Sequence, residues 1–359
     1  MIIRNPYPHG GDIYSHRVVL DFSVNVNPLG TPPRISAAVA AAAKDLSAYP
    51  DPRCRMLRAR LAETLRVSPD SLVMGNGAAE LIGQFIAALR PKKTLLPAPS
   101  FADYEHALSA EGCPADFYPL RREDGFLLTD RILDEIKPGT ELLLLCSPNN
   151  PTGRLIPRPL LLRILERCRR TGTWLFLDEC FGELTDEDTP SLADALLPGD
   201  RVFLLRAFTK TYAIPGIRLG YGICPNTEML DRICRRSQFW NVSTPAQAAG
   251  LAALDCADWV LAARKLIREE KKYLTESLQA LGITVFPSDA NFLLLSGVPG
   301  LYDRLLARGI LIRSCENYRG LSSGDCRIAV RTHPENEALI NYLQMHGPGL
   351  RPPQGSFGE

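Results

Sequence analysis

The chain has 359 residues, of which 45% are hydrophobic and 23% charged, a composition typical of a globular protein that buries a large core. Its 41 Lys and Arg residues balance 40 Asp and Glu residues, so no overall field favours nucleic acid or an anionic membrane as a partner. The N-terminal sequence MIIRNPYPHGGD lacks the apolar segment of a secretory signal, and no apolar run reaches the ~20 residues that span a bilayer. The ten cysteines contain no Cys-x-x-Cys pair. We therefore expect a cytoplasmic protein with reduced thiols, no metal site and a small-molecule ligand.

From about residue 55 to 240, short apolar runs of strand length alternate with segments of helical pattern. The predicted strands are 71–74, 94–96, 142–146, 174–177, 202–205 and 217–223, with helices at 78–89 and 102–110. Apolar strands separated by helices predict an α/β fold with a mostly parallel sheet covered on both faces. Such sheets bind ligands at the carboxyl ends of their strands, so the polar residues that follow these runs are the candidate site residues.

Beyond Thr244 the pattern changes to that of a smaller α+β unit. Helices are predicted at 246–254, 257–281 and 335–345, and strands at 283–286, 292–295, 310–313 and 327–330. We predict an N-terminal arm with the first part of the small domain at 1–45 and a large cofactor-binding domain at 46–244. A small C-terminal domain would follow at 245–346, and the Pro- and Gly-rich residues 347–359 would form a flexible tail.

Lys210 directly follows one of the predicted strands. A lysine in such a loop is most often a plain surface residue, but its neighbours change that expectation. Thr209 and Arg218 are potential phosphate ligands, and Gly216 and Gly220 permit close approach of the backbone. A lysine at a strand end among phosphate ligands is what a Schiff base with pyridoxal 5′-phosphate requires, and we predict that Lys210 forms it.

Three other motifs also follow predicted strands. Asp178 ends a buried strand; it is either a helix cap or turn residue, or the partner of a pyridine nitrogen. Asn150 lies in Ser-Pro-Asn-Asn-Pro-Thr-Gly, which forms a plain turn or contacts the ring oxygen of the cofactor. The sequence Gly-Asn-Gly77-Ala78 opens a helix whose free N–H groups suit a phosphate, although a third glycine of a dinucleotide motif is replaced by Glu80. Only the occurrence of all these motifs in order is specific.

The order GNG, SPNNPTG, LDE and TK-x₇-R-x-G, over about residues 9 to 345, resembles the fold-type I pyridoxal-phosphate enzymes of the aspartate aminotransferase superfamily. Within it the chain is most similar to histidinol-phosphate aminotransferases and to the L-threonine-O-3-phosphate decarboxylases of cobalamin synthesis. The resemblance implies a covalent link at Lys210, a pyridine-nitrogen contact from Asp178 and a ring-oxygen contact from Asn150. It implies that the cofactor phosphate is held by Gly77, Ala78, Thr209 and Arg218.

The same resemblance assigns two aromatic residues. Phe101 matches the aromatic residue that stacks on the cofactor ring, and Tyr49 matches a tyrosine that reaches the cofactor of the neighbouring subunit. The second match implies a homodimer with shared active sites. Two positions depart from the aminotransferase pattern: Phe181 stands where a tyrosine usually contacts the ring oxygen, and Ala207 replaces a hydroxyl residue. These departures argue against assigning an aminotransferase from motifs alone.

Several further motifs resemble the decarboxylase pattern: His9-Gly-Gly, F-S-x-N-x-N-P-L-G, F-A-D-Y, Y-A-I-P-G and L-I-R-S-C-x-N-Y. Taken separately, His9 could lie in a disordered end and Asn-Pro-Leu-Gly could be a turn. The resemblance implies that Arg327 grips the substrate carboxylate or a nearby phosphate, with Asn150 beside the substrate. It also implies that the substrate phosphate is held by Arg313, His9 and Asn25.

From these motifs we expect pyridoxal-phosphate-dependent decarboxylation of L-threonine O-3-phosphate to (R)-1-amino-2-propanol O-2-phosphate. Whether the enzyme decarboxylates or transaminates depends on how the substrate is oriented, because the bond at the substrate Cα that is held perpendicular to the cofactor ring breaks fastest. The first alternative is a histidinol-phosphate aminotransferase, which needs the same cofactor site and a grip on a substrate phosphate. The second is a non-catalytic binding or regulatory protein with this fold.

Overall fold

A computed structural model describes residues 9–185 and 191–347, which fold into a seven-stranded sheet, a four-stranded sheet and a two-stranded sheet, flanked by helices. The helices are α1 Pro33–Ala42, α2 Arg55–Leu65, α3 Ala78–Leu89, α4 Ala102–Ala110, α5 Ile132–Glu135, α6 Arg158–Thr171, α7 Phe208–Thr211, α8 Thr227–Cys234, α9 Thr244–Ala253, α10 Ala257–Ala280, α11 Leu301–Leu306 and α12 His333–His346. The strands are β1 Leu20–Asp21, β2 Leu72–Gly75, β3 Thr94–Ala98, β4 Ala115–Pro119, β5 Leu142–Cys146, β6 Trp174–Asp178, β7 Val202–Ala207, β8 Gly220–Ile223, β9 Thr284–Val285, β10 Phe292–Ser296, β11 Ile310–Leu311, β12 Arg313–Ser314 and β13 Cys326–Ala329. Within these residues no helix combines the length and apolarity needed to cross a bilayer.

The larger sheet has seven strands in the order β2-β8-β7-β6-β5-β3-β4. Strands β3 to β7 pair in parallel, whereas β8 runs antiparallel to both β7 and β2. Leu143 and Leu175 pack into the core on one face, while Leu144 and Phe176 pack into the core on the other. The predicted α/β fold with a mostly parallel, doubly covered sheet is therefore confirmed.

The smaller sheet has four antiparallel strands in the order β12-β13-β10-β9. Its core also takes in Phe22, next to β1, which pairs in parallel with β11. Ile35 of α1, however, packs in the core of the larger sheet, and α1 contacts α9. The predicted boundaries at residues 45, 244 and 346 stay predictions, and the predicted tail lies outside the described residues apart from Gly347.

Some predicted elements differ from those observed, for local reasons. The predicted strand 310–313 is interrupted: β11 pairs with β1, whereas β12 pairs with β13. The predicted strand 217–223 begins only at Gly220, because Ile217 ends a short 3₁₀ turn and Arg218 has a φ of 61°. Strand β4 was not predicted, since its alternation is weak and it lies at the sheet edge, where a strand needs little apolar surface.

Candidate active site

A cavity of about 220 Å³ lies at the carboxyl ends of β5, β6 and β7, where a parallel sheet offers a binding site. Strands β12 and β13 of the smaller sheet and residues near β1 form its opposite wall. All predicted site residues except Gly77 and Tyr49 line this cavity: His9, Asn25, Ala78, Phe101, Asn150, Asp178, Thr209, Lys210, Arg218, Arg313 and Arg327. Strand ends that lie far apart in the sequence are thus brought to one place, as the pattern predicts. No cluster of side chains suited to a metal ion occurs among residues 9–185 and 191–347.

Lys210 lies in the single turn α7 that directly follows β7. Its Nζ is 6.0 Å from the centroid of the Phe181 ring, and its side chain is partly buried. Burial lowers the pKa of Lys210, and the positive charges of Arg327 and Arg218 lower it further. A lysine with a lowered pKa holds more of its neutral amine at neutral pH, which is the form that attacks a carbonyl carbon.

Asp178 ends β6 and is almost completely buried. Its Oδ2 accepts a hydrogen bond from the Tyr104 hydroxyl at 2.7 Å, and its Oδ1 accepts one from the backbone N–H of Cys180 at 2.9 Å. Burial raises the pKa of the Asp178 carboxyl. The side chain and backbone N–H of Cys180, the Tyr104 hydroxyl and the charge of Lys210 act in the opposite direction because they favour the carboxylate. The arrangement presents a fixed, buried carboxyl group to a ligand that carries a positive charge.

The turn before α3 is shaped as a cradle for an anion. Gly77 has a φ of 80°, and a Cβ there would lie 2.4 Å from Nη2 of Arg218. A Cβ on Gly220 would lie 2.7 Å from the backbone nitrogen of Ala78, the first residue of α3. Glycine at both positions thus lets backbone and guanidinium approach each other, next to the unpaired N–H groups of a helix start. Thr209 is buried beside them in the same cavity.

Arg327 is held in the opposite wall by contacts from three segments. Its Nη2 donates to the Ser23 carbonyl oxygen at 2.8 Å, and its Nη1 donates to Oδ1 of Asn150. When the Asn25 amide oxygen faces the guanidinium, it accepts from Nε of Arg327 at 3.1 Å. Burial lowers the pKa of Arg327, and the charge of Arg313 adds to that effect. A buried guanidinium fixed in this way fits a planar or tetrahedral anion in the cavity.

Arg313 is also buried, and the loop after β12 holds it. Its Nη2 donates to Oδ1 of Asn317 at 2.7 Å, and its guanidinium carbon lies 5.2 Å from the Tyr318 ring centroid. Arg313 therefore adds a second positive charge to the wall formed by Arg327. Together they can accommodate two anionic groups of one ligand.

His9 and Gly10 line the cavity, so the first described residues of the chain form part of its wall. Nε2 of His9 lies 3.0 Å from Oδ1 of Asp103, and the backbone N–H of Gly11 donates to the Ser23 hydroxyl at 2.7 Å. A Cβ on Gly10 would lie 2.4 Å from the Ser23 carbonyl oxygen, so the close contact requires glycine. The roles predicted for His9 and Asn25 in substrate binding stay predictions.

Tyr49 lies outside the cavity, on the surface, with 77% of its area exposed. Its ring stacks on Trp240 at 4.3 Å between centroids, and Trp240 contacts Phe239, which is 79% exposed. We refer to Tyr49, Phe239 and Trp240 as the aromatic patch. Its predicted contact with a neighbouring subunit stays a prediction.

Several residues of the site were not assigned a role from the sequence. Tyr104 carries the hydroxyl bound to Asp178, Asp103 pairs with His9, and Ser23 offers its carbonyl to Arg327. Tyr104 and Asp103 lie in the F-A-D-Y motif, which marks the motif as relevant without showing what each side chain touches. Their partners depend on how α4 packs against β6, and one helical sequence does not encode that packing.

The sequence profile of the family described as aminotransferase class I and II matches residues 17–343. Among curated relatives, a threonine-phosphate decarboxylase from Salmonella typhimurium is 38% identical, with 96% of this chain and 98% of the relative covered. A histidinol-phosphate aminotransferase from Methanosarcina mazei is 32% identical, with 91% of this chain and 88% of the relative covered.

The fold is also similar to solved structures. The histidinol-phosphate aminotransferase from Clostridium acetobutylicum superposes with a TM-score of 0.85 at 30% identity. The superposition covers 91% of this chain and 98% of that one.

Proposed function

The chain belongs to the aminotransferase class I and II family, whose enzymes use pyridoxal 5′-phosphate, and from this we propose that it decarboxylates L-threonine O-3-phosphate. The product would be (R)-1-amino-2-propanol O-2-phosphate. One observation carries the proposal: two buried arginines and His9 line the wall opposite Lys210, in a cavity that already contains a separate anion cradle. A substrate with both a carboxylate and a phosphate would match this distribution of charge.

The residues present fit the cofactor. The cradle of Gly77, Ala78, Thr209 and Arg218 would hold its phosphate, as the close approaches enforced by the glycines indicate. Asp178 would pair with the pyridine nitrogen, and Lys210 would bind the aldehyde carbon. Phe101 lines the same cavity and would stack on the ring. When bound, the cofactor supplies an electron sink for the pair released at the substrate Cα.

Asn150 would connect the cofactor to the substrate. Its Oδ1 already accepts from Nη1 of Arg327, which leaves the amide N–H₂ free to donate to the ring oxygen. One side chain therefore fixes both the cofactor ring and the guanidinium that would grip the substrate. Phe181, which packs against Phe292 at 5.1 Å, offers no hydroxyl here, so Asn150 would carry the ring-oxygen contact without help from that position.

Which bond breaks at the substrate Cα is a matter of orientation, and the two arginines would decide it. Arg327 would bind one anionic group next to Asn150, while Arg313, His9 and Asn25 would hold the substrate phosphate. After CO₂ has left, Cα needs a proton, and Lys210 lies in the same cavity as a buried amine able to supply it. Departure of CO₂ and return of one proton balance the reaction without an oxidant or a second substrate.

We also propose that the chain forms a homodimer through the aromatic patch, so that Tyr49 reaches the partner's cofactor. The patch supports this because three large aromatic side chains, each at least 44% exposed, adjoin one another, and such surfaces often mark protein contacts. Leu46 and Met56, which lie near Tyr49 in the sequence, are also exposed.

A histidinol-phosphate aminotransferase is the second candidate, because the 32% identical relative and the solved structure with a TM-score of 0.85 carry that name. The two candidates separate in a two-part assay. The protein is incubated with L-threonine O-3-phosphate and CO₂ is measured, then with histidinol phosphate plus 2-oxoglutarate and glutamate is measured. We expect CO₂ and no glutamate. Glutamate without CO₂ would establish the aminotransferase instead, and neither product would favour the non-catalytic alternative.

A further inference from the structure

Tyr104 makes a contact that has no role in the proposed chemistry. Its hydroxyl donates to Oδ2 of Asp178 at 2.7 Å, while the backbone N–H of Cys180 donates to Oδ1 at 2.9 Å. A carboxylate has about four lone-pair positions, so each oxygen can still accept from a ligand. The contact is therefore compatible with a cofactor nitrogen on the same carboxyl group.

The Tyr104 hydroxyl is a permanent donor in this position. The side chain is completely buried on α4, with its ring edge-on to Phe101 at 5.6 Å and to Phe176 at 6.5 Å. Burial raises the pKa of Tyr104 well above its usual value, and the negative charge of Asp178 raises it further. The phenol thus keeps its proton, and the surrounding rings keep the hydroxyl directed at one carboxyl oxygen.

A fixed hydrogen-bond donor on Asp178 influences whether a proton shared between that carboxyl group and a pyridine nitrogen lies on the oxygen or on the nitrogen. A hydrogen bond to a carboxylate favours its charged form, and burial of Asp178 pushes in the other direction. If burial prevailed, the proton between Asp178 and a pyridine nitrogen would move to the carboxyl group, and an uncharged ring is a weaker electron sink. The side chain and backbone N–H of Cys180, the Tyr104 hydroxyl and the charge of Lys210 all counter that tendency. The Tyr104 hydroxyl lies 2.7 Å from Oδ2 and can be removed without changing the backbone.

We propose that Tyr104 is a positioning residue that keeps Asp178 ionised, so that the proton shared with the ring nitrogen of pyridoxal 5′-phosphate stays on the nitrogen. The inference rests on the role given to Asp178 in the proposed function, but not on which bond of the substrate breaks. It also gives α4 two roles, because Phe101 precedes its first residue and faces the cavity, and Tyr104 lies within its first turn. One helix would thus control both the face and the nitrogen of the ring.

The test uses holoenzyme loaded with ¹⁵N-labelled pyridoxal 5′-phosphate and no substrate, with the ring-nitrogen chemical shift as the readout. In the unchanged protein we expect the shift of a protonated nitrogen. Tyr104→Phe, which removes only the hydroxyl, should move the shift toward the unprotonated value. With substrate, kcat should fall about tenfold and KM should change little, as expected for loss of one hydrogen bond to a charged group.

Two matched variants make the outcome decisive. Tyr212→Phe removes the hydroxyl of another buried tyrosine, which lines a separate cavity beside α7, and should leave the nitrogen shift unchanged. Asp178→Asn should move the shift at least as far as Tyr104→Phe does. If Asp178→Asn moves it and Tyr104→Phe does not, the role of Tyr104 is refuted while the proposed function stands. If Asp178→Asn leaves the shift unchanged, both assignments fail, whatever substrate the enzyme uses.

Discussion

Burial and charge oppose each other at several residues of the cavity. Burial lowers the pKa of Lys210 and of Arg327, and it raises the pKa of Asp178. Each shift means that the folded protein holds the charged form at a cost in stability, and such costs concentrate at sites that bind and react. The cavity is therefore expected to trade stability for chemistry, and this can be tested at one side chain.

Lys210→Met should stabilise the protein without cofactor at pH 7, by on the order of 1 kcal/mol. Because burial lowers the pKa of Lys210, the unfolded chain binds its proton more readily than the folded one. The cost of the ammonium is complete below the folded pKa and disappears as pH rises toward the ordinary value of 10.5. The gain from Lys210→Met should shrink over that range in urea unfolding curves. Lys265→Met, at an exposed position of α10, is the control; an equal gain there would refute the account.

Arg327→Lys should lower kcat/KM for threonine phosphate by roughly a hundredfold. A lysine keeps the charge but lacks the planar fork that lets Arg327 donate from two nitrogens to Asn150 and to the Ser23 carbonyl, so the bound anion loses its fixed direction. Steady-state kinetics measures the change. Arg331→Lys is the control, because Nη2 of Arg331 lies 2.6 Å from Oε1 of Glu335 in α12 and Arg331 does not line the cavity. Its kcat/KM should stay near that of the unchanged protein. Equal losses in both variants would show that the effect is not specific to the cavity.

Single residues were predictable from sequence where a simple rule placed them. Lys210, Asp178 and Asn150 each follow an apolar strand, and parallel strands end at one edge, so their meeting in space could be foreseen. Tyr104 lies in a helix, and nothing in its sequence spacing indicates that it faces the end of β6. The partner of a helical side chain depends on packing, and packing is not periodic in sequence.

The junctions between strands and helices carry most of the site at the level of elements. Strand β2 leads through Gly77 into α3, and β7 leads through Ala207 into α7. Each junction places the first N–H groups of a helix or a short turn at the same edge of the sheet. The proposed cradle for the cofactor phosphate is built on the first of these junctions, between β2 and α3.

Gly77→Ala should weaken binding of pyridoxal 5′-phosphate at least tenfold. Its φ of 80° is unfavourable for alanine, and the new Cβ would lie 2.4 Å from Nη2 of Arg218, so the cradle must open. Equilibrium dialysis of the protein freed of cofactor gives the affinity. Gly83→Ala is the control within the same helix: its Cβ meets nothing within 4 Å, and alanine favours a helix by about 0.5–1 kcal/mol. If both variants bind the cofactor equally well, Gly77 is not part of the cradle.

The position of a helix or strand could be predicted from the sequence where its pattern of apolar residues was strong. Strand β5 was predicted to the residue, because all of its residues are apolar and buried on both faces of the sheet. The segment 310–313 looked like one strand, but its two halves pair with strands from opposite ends of the chain. Long-range pairing of this kind leaves no local trace, so only the structure shows it.

At the scale of the whole molecule, the cavity lies between the larger and the smaller sheet. The larger sheet supplies Asp178, and the turn α7 that follows its strand β7 supplies Lys210. Strands β12 and β13 of the smaller sheet supply Arg313 and Arg327. His9 completes the wall from the N-terminal segment through its contact with Asp103. A site assembled from such distant parts of the chain agrees with the fold class predicted from sequence, and the predicted domain boundaries stay predictions.

The aromatic patch should hold two copies of the chain together. Trp240→Ser combined with Phe239→Ser should convert a dimer to a monomer in analytical ultracentrifugation, and should reduce activity at least tenfold if Tyr49 serves the partner's site. Leu197→Ser, at an exposed leucine outside the patch, is the control and should remain dimeric. A double variant that is still dimeric would place the interface elsewhere.

The identity of the cofactor lysine is the assignment on which every step depends, and borohydride trapping tests it most directly. The protein is loaded with pyridoxal 5′-phosphate, reduced with borohydride, digested and analysed by mass spectrometry, with Lys210→Ala treated in the same way. We predict that the reduced cofactor is found on the peptide containing Lys210, and that no peptide of Lys210→Ala carries it. A modified lysine elsewhere in the unchanged protein, or equal labelling of Lys210→Ala, would contradict the account.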